Sequence, residues 1–204
     1  MHGPPVTDGA ARVGPNAILQ LVGTLEQRGG ATLATAVFEH AGLATYLSAP
    51  PRAMVPEAEV ARLNAAVGAL LPAAGAVAAL AEAGRRTGRY LLAHRIPAPA
   101  RALLRVLPAP LAAPLLLGAI RRHAWTFAGS GVVRVGSRPQ PWIEIAPNPL
   151  AQPDCPWHCA VFGELFGTLV SAGCGVAHPC CCARGDACCR FEIVPARHAS
   201  LSVR

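Results

Sequence analysis

The chain has 204 residues, 52% hydrophobic and only 14% charged, with a formal net charge of +7 carried by arginine alone, for there is no lysine. That length suits one domain with a sizeable core. Its apolar runs, Leu70 to Glu82 and Ala109 to Ile120, fall short of the roughly 20 residues a membrane span needs, and arginines without interleaved aromatics or a groove-reading motif do not fit a nucleic-acid partner.

Residues 1–13 read as a disordered lead-in without a secretory signal, which implies a reducing, cytoplasmic setting. Gly14-Pro15-Asn16 opens a helix with Ile18, Leu21, Val22 and Leu25 on one face, stopped by Gly29-Gly30. A second helix is expected over Ala31 to Leu47, a third over Glu57 to Leu71 and a fourth from Gly75 to Leu92, continuing toward His94. Five prolines between Pro97 and Pro114 should break the next stretch into short pieces, with one more helix over Leu115 to Trp125. The pattern changes at Gly129-Ser130-Gly131. Val132 to Val135 and Trp142 to Ile145 read as a hairpin, Trp157 to Val170 as a helix, and Val176 to Val194 as a second hairpin turning at residues 183–187. Helices, hairpin, helix, hairpin is an α+β order with an antiparallel sheet. It divides one integrated domain into a helical region, 14–128, an α+β core, 129–195, and a tail, 196–204.

All eight cysteines lie between Cys155 and Cys189. In a reducing compartment such a cluster reads as metal ligands or free thiols before disulfides. Pro156 suits a first helical position, which makes Cys155 the cap, where the helix dipole favours thiolate. Cys181 and Cys189 flank a turn centred on Gly185, and an odd loop count would set them face to face, with Cys180, Cys182 and Cys188 opposite. With His178 they form a three-sulfur, one-nitrogen set suited to structural zinc. Packed thiols with a surface histidine are the plain alternative. His178 is the weakest member, and Cys180 or Cys182 could stand in for it.

Asn148-Pro149, the run from Cys155 through Trp157, His158, Val161, Phe162 and Glu164 to Phe166, and the run from Cys181 through Gly185, Asp186 and Cys189 to Phe191 resemble the 4-vinyl reductase domain family. Gly14 to Ala17, Val37-Phe38, Ala41 to Leu43 and Pro51 to Ala61 resemble its bacteriochlorophyll-biosynthesis J-protein branch. The resemblance covers about residues 12 to 195. It implies a helical layer packed on an antiparallel sheet, related to haem nitric-oxide-binding and trafficking-complex subunit folds. It also implies a small-molecule pocket and a homodimer. Zinc-binding relatives use Cys, Glu, Cys, Cys; His178 stands where the Glu would be.

The family name points to vinyl reduction on divinyl protochlorophyllide, but the chain has no strand-Gly-x-Gly-x-x-Gly-helix unit for a nicotinamide cofactor. The residues argue more for holding a tetrapyrrole than for reducing it. Arg85, Arg86, Arg89, Arg121 and Arg122, with Trp125 and His123, offer guanidinium groups and an apolar wall of the kind propionates and a flat macrocycle need. A solvated helix face is the plain alternative. His40, His94, His123 and His158 are candidate axial ligands to magnesium. The resemblance implies a carrier of magnesium porphyrins acting near magnesium chelatase and the Mg-protoporphyrin methyltransferase. A vinyl reductase with an external electron donor and a ligand-sensing regulatory domain are the rivals. The same basic, apolar region suits peripheral contact with anionic lipid heads at the inner membrane.

Overall fold

The computed structural model describes residues 11–195. The expected tail and most of the expected lead-in lie outside that range. Arg12–Val13, placed by the sequence in the lead-in, form a short strand, β1, paired antiparallel with β2, Val55–Pro56. The Arg12 side chain reinforces the pairing by donating to the Met54 carbonyl.

The first helix, α1, spans Asn16–His40 with non-helical backbone at Gly29 and Gly30, where the sequence placed its stop. Its second arm ends sooner than expected. Gly42 takes a positive φ of 68°, and Leu43 N–H bonds the Phe38 carbonyl at 2.8 Å, a glycine-terminated helix end. A separate short helix, α2, Thr45–Ser48, follows. α3 (Glu57–Leu70) and α4 (Ala73–His94) match the expected periodicity.

The proline-rich stretch is more regular than its composition suggests. Pro97 and Pro108 cap α5 (Ala98–Val106) and α6 (Ala109–Arg122), while Pro99 and Pro110 sit in first turns, where no amide hydrogen is missed. Pro114 lies inside α6, and the helix runs through it. The carbonyl it leaves without an intrahelical donor belongs to exposed Pro110, which water can reach. A helix expected to start at Leu115 therefore starts at Ala109.

A four-stranded antiparallel sheet, ordered β3-β4-β6-β5, is built from β3 (Val132–Gly136), β4 (Trp142–Ala146), β5 (Gly175–Cys180) and β6 (Cys189–Val194). Ile143, Ile145, Cys189, Phe191 and Ile193 alternate onto its buried face. On the other face Glu144 meets Arg134 and Arg190, each at 3.6 Å, and the Arg190 guanidinium lies 4.3 Å from the Trp142 ring centre. The chain is thus α+β, as expected.

Two hydrophobic cores result. One joins α1, α3 and α4 through Leu21, Leu25, Phe38, Leu63, Val67 and Leu80, and the other joins α6, α7 (Pro156–Leu169) and the sheet through Leu117, Phe162, Phe166 and Phe191. Trp157 packs against both. α4 and α7 pack more extensively than any other pair of elements among the described residues, coming close at Gly84 and Gly88. Glu57 at the start of α3 accepts bonds from Ser130 N–H at 2.7 Å and from its hydroxyl at 2.8 Å, tying the helical layer to the loop before β3.

His158 of α7, a candidate magnesium ligand by sequence, lies inside the second core. It is 2% exposed, edge-on to Trp157 and Phe127 and tilted against Phe162 and Phe191. Burial pushes its pKa down to about 4, against a partial offset from the Phe127 carbonyl. A depressed folded-state pKa makes the neutral ring a stabilising feature above pH 6.5 that is lost as pH falls toward 4, on the order of 3 kcal/mol in all. The His158 ring resonance should therefore not titrate between pH 8 and about 5, while stability to urea falls through that lower window. A ring titrating near pH 6.5 would contradict the burial.

Candidate metal centre

The cluster begins with a backbone arrangement. Asp154 and Cys155 both take positive φ, 61° and 41°, unusual for residues with a side chain. This places Cys155 as the cap of α7, as the sequence indicated, with its thiol 1% exposed residue-wide and turned to the sheet. Arg184 clamps the loop to the second hairpin: it meets Asp154 at 2.6 Å and donates to the carbonyls of His178 and Pro179 at 3.0 and 3.2 Å.

The hairpin supplies the other donors. In a regular strand, residues three apart face opposite sides. His178 and Cys181 escape this because β5 changes register against β6: Ala177 pairs with Glu192, but Cys180 pairs with Arg190. The bulge spans His178 and Pro179, on an edge strand where proline costs no ladder bond. Beyond it, Cys181 leads into a short 3-10 turn, Cys182–Arg184, and Gly185 at φ 92° completes the reversal toward Cys189. The Asp186 carboxylate accepts the Cys181 amide at 2.7 Å and fixes the turn.

The donor atoms of Cys155, His178, Cys181 and Cys189 all lie within 4.8 Å of one another. Cys155 Sγ is 3.8 Å from Cys181 Sγ and 3.5 Å from Cys189 Sγ. A tetrahedral zinc with bonds of about 2.3 Å would set its sulfurs about 3.8 Å apart. The histidine is oriented for the same task. Its Nδ1 meets the Arg190 carbonyl at 2.8 Å, its ring stacks on Phe191 at 4.6 Å, and its buried Nε2 has no hydrogen-bond partner. A carbonyl on Nδ1 keeps the proton there and leaves the Nε2 lone pair free for a metal. An orphaned buried nitrogen beside three buried sulfurs fits a metal site and is costly without one.

Hydrogen-bond donors surround the sulfurs. Cys182 N–H reaches Cys189 Sγ at 3.3 Å, and Asn148 Nδ2 reaches Cys155 Sγ at 3.8 Å. Cys189 is held well below the ordinary thiol range, first by the Cys155 side chain and then, against the cost of burial, by the His178 ring and the Cys182 amide. Cys155 is pushed up by the same pairing with Cys189 and by burial. Cys180 and Cys182 do not join the donor set. Sequence reasoning missed Asn148, Asp186 and Gln152, whose carbonyl accepts from the Cys155 amide at 2.8 Å and from Cys181 Sγ at 3.3 Å, as supports, although Asn148 heads one of the motif runs.

The candidate ligand-binding residues are not gathered in one place. Val77, Ala81, Arg85, Arg89 and Ala93, each four residues apart, form a stripe on α4, and two open grooves run along it beside α7, of about 350 and 320 Å³. Val77, Ala81, Arg85 and Cys159 line the first, and Arg89, Ala93, Arg105 and Glu164 the second. Arg85 and Arg89 both bond Glu82, at 2.9 and 2.8 Å. Arg86 turns to Glu82 as well, at 3.5 Å, with its guanidinium against Gly23 of α1. Arg121, Arg122, His123 and Trp125 line neither groove. They are exposed at the end of α6, where His123 Nδ1 bonds the Ala119 carbonyl.

No protein-family model matches the chain. Two curated proteins do. The bacteriochlorophyll synthase 23 kDa chain of Cereibacter sphaeroides is 43% identical over 203 residues, which is 95% of this chain and 97% of the relative. The protein of the same name from Rhodobacter capsulatus is 39% identical over 197 residues, 94% of this chain and 91% of the relative. At that identity and coverage, the chain belongs to the family of the bacteriochlorophyll synthase 23 kDa chains.

Proposed function

We propose that this chain serves bacteriochlorophyll biosynthesis by binding a magnesium porphyrin or protochlorophyllide-type intermediate and passing it between enzymes. Magnesium chelatase and the Mg-protoporphyrin methyltransferase are the expected neighbours. Zinc at Cys155, His178, Cys181 and Cys189 is structural in this reading: four protein donors leave no open position for a substrate. The pathway follows from the names of the relatives.

The observation that carries the pigment site is the paired groove along α4 and α7. It is apolar at Val77, Ala81, Ala160 and Val176 and edged by Arg85 and Arg89. A flat macrocycle lies against such a wall, and propionates take the two guanidinium groups from Glu82, their shared partner. An open groove suits a carrier, which must release what it binds.

Titration of the protein with magnesium protoporphyrin, followed by absorbance, tests the site. The Arg85→Ala, Arg89→Ala double variant should bind about tenfold more weakly, roughly 0.7 kcal/mol per half-exposed contact. Arg121→Ala with Arg122→Ala should leave this titration unchanged. Incubation of divinyl protochlorophyllide with protein and NADPH, followed by chromatography, should return the pigment unreduced. Monovinyl product that disappears on unfolding the protein would overturn the carrier reading in favour of a reductase.

A further inference from the structure

Between Glu82 and Glu144 the chain carries ten arginines and not one acidic residue. The α5–α6 helix pair lies in the middle of this stretch. α5 buries only Leu104. α6 buries Ala112, Ala113, Leu116, Leu117 and Ile120, yet its outward side is apolar too, with Leu111, Pro114, Leu115, Gly118 and Ala119 all exposed. Leu103, Val106, Leu111 and Leu115 are each more than half exposed, and Val106 reaches 78%. From Ala109 to Ile120 the exposed side of α6 has no polar residue, unlike an ordinary surface helix, which turns charge to water.

The surroundings say what would cover it. Arg105, Arg121 and Arg122 are exposed at the two ends of the pair and have no acidic partner among the described residues. Trp125, half exposed, follows Arg121 and Arg122. Arg101 keeps its charge, but its guanidinium donates to carbonyls at and just beyond the end of α4, including Ile96 at 3.0 Å, and is therefore tied to the protein. A second copy docking through this face would bring arginines against arginines. An anionic bilayer would neutralise them, take the four apolar side chains below the headgroups and seat the tryptophan at the boundary. Among the described residues no helix is long and apolar enough to cross a membrane, and α6 at 14 residues reaches only about 21 Å.

We propose that the outward face of α5 and α6 is a docking surface for an anionic phospholipid bilayer, on which the protein lies without spanning. The surface borders the second α4–α7 groove at Arg105, while Leu111, Leu115, Arg121 and Arg122 line neither groove and none of these residues belongs to the metal cluster. Co-sedimentation of the pigment-free protein with vesicles tests it apart from the carrier reading. Phosphatidylcholine vesicles with added phosphatidylglycerol should pull the protein down, pure phosphatidylcholine should not, and high salt should release it. Leu111→Ser with Leu115→Ser, and separately Arg121→Gln with Arg122→Gln, should each weaken binding roughly tenfold. These positions are exposed, so circular dichroism and melting should stay at the parent's values. Failure to bind anionic vesicles, or equal binding by both variants, would overturn the proposal. So would a solution dimer dissociated by the leucine variant without vesicle binding, which would make the face a subunit interface.

Discussion

Metal analysis of the purified protein should find about one zinc per chain, and Cys181→Ser should remove it and most of the stability of the C-terminal half. The expectation rests on three buried sulfurs near tetrahedral separations and a histidine nitrogen with no other partner. Structural zinc contributes on the order of 10 kcal/mol to folding in small sites, comparable with the whole stability of a domain. Loss of one sulfur also leaves the other donors buried without their common partner. His178→Ala should be milder than Cys181→Ser, since three thiolates and a water still bind zinc. Cys180→Ser and Cys188→Ser, outside the donor set, should melt with the parent. Acid should release the metal, because protons displace it from the thiolates. Metal-free protein that melts like the parent, unaffected by chelator, would remove the site.

The donor types were legible because cysteine and histidine carry their chemistry in any fold. Their convergence was less so. His178 and Cys181 have the wrong spacing for one face of a strand, and only Pro179 hints at the bulge that corrects it. The helix α1, its break at Gly29-Gly30 and both hairpins followed from periodicity and turn residues. The early end of its second arm was also written in the sequence, at Gly42, but the apolar pattern beyond it masked the signal. Pro114 inside α6 was not legible, because a proline is tolerated where the freed carbonyl faces water, and exposure is a tertiary property.

The arginine region shows a different limit. Composition gave the charge and the apolar neighbours but not which arginines share a surface. Arg85 and Arg89 line the α4–α7 groove, whereas Arg121 and Arg122 belong to another face. Glu82, which binds three of the arginines, was overlooked although its spacing to Arg85 and Arg86 is that of helical ion pairs. His158 falls on the helical stripe of Phe162, Leu165 and Leu169, so its burial could have been read from that row.

Gly84→Ala should destabilise the protein by about 1–3 kcal/mol, and Gly84→Val should prevent normal packing of the two halves. A methyl group at Gly84 would sit 2.4 Å from the Trp157 carbonyl oxygen and 2.9 Å from Ala160 Cβ. Neither atom can swing away, since one is backbone and the other is fixed to it, so the helices must separate. Separation opens the seam on which the grooves and Trp157 depend. Gly88→Ala should also destabilise, because its nearest neighbour at 2.7 Å is the Glu164 Cβ, fixed to the backbone, but less than Gly84→Ala, because the nearest backbone atom is the Val161 carbonyl oxygen at 3.4 Å and the Glu164 Cγ at 2.8 Å can rotate away. Gly68 and Gly118 supply the opposite sign. Both are helical with nothing within 4 Å of an added methyl, so alanine there should gain up to about 1 kcal/mol from helix propensity alone. Urea unfolding of the four single variants decides the matter. If Gly84→Ala unfolds with Gly68→Ala, on the stable side of the parent, α4 and α7 are not in the close contact on which the groove rests.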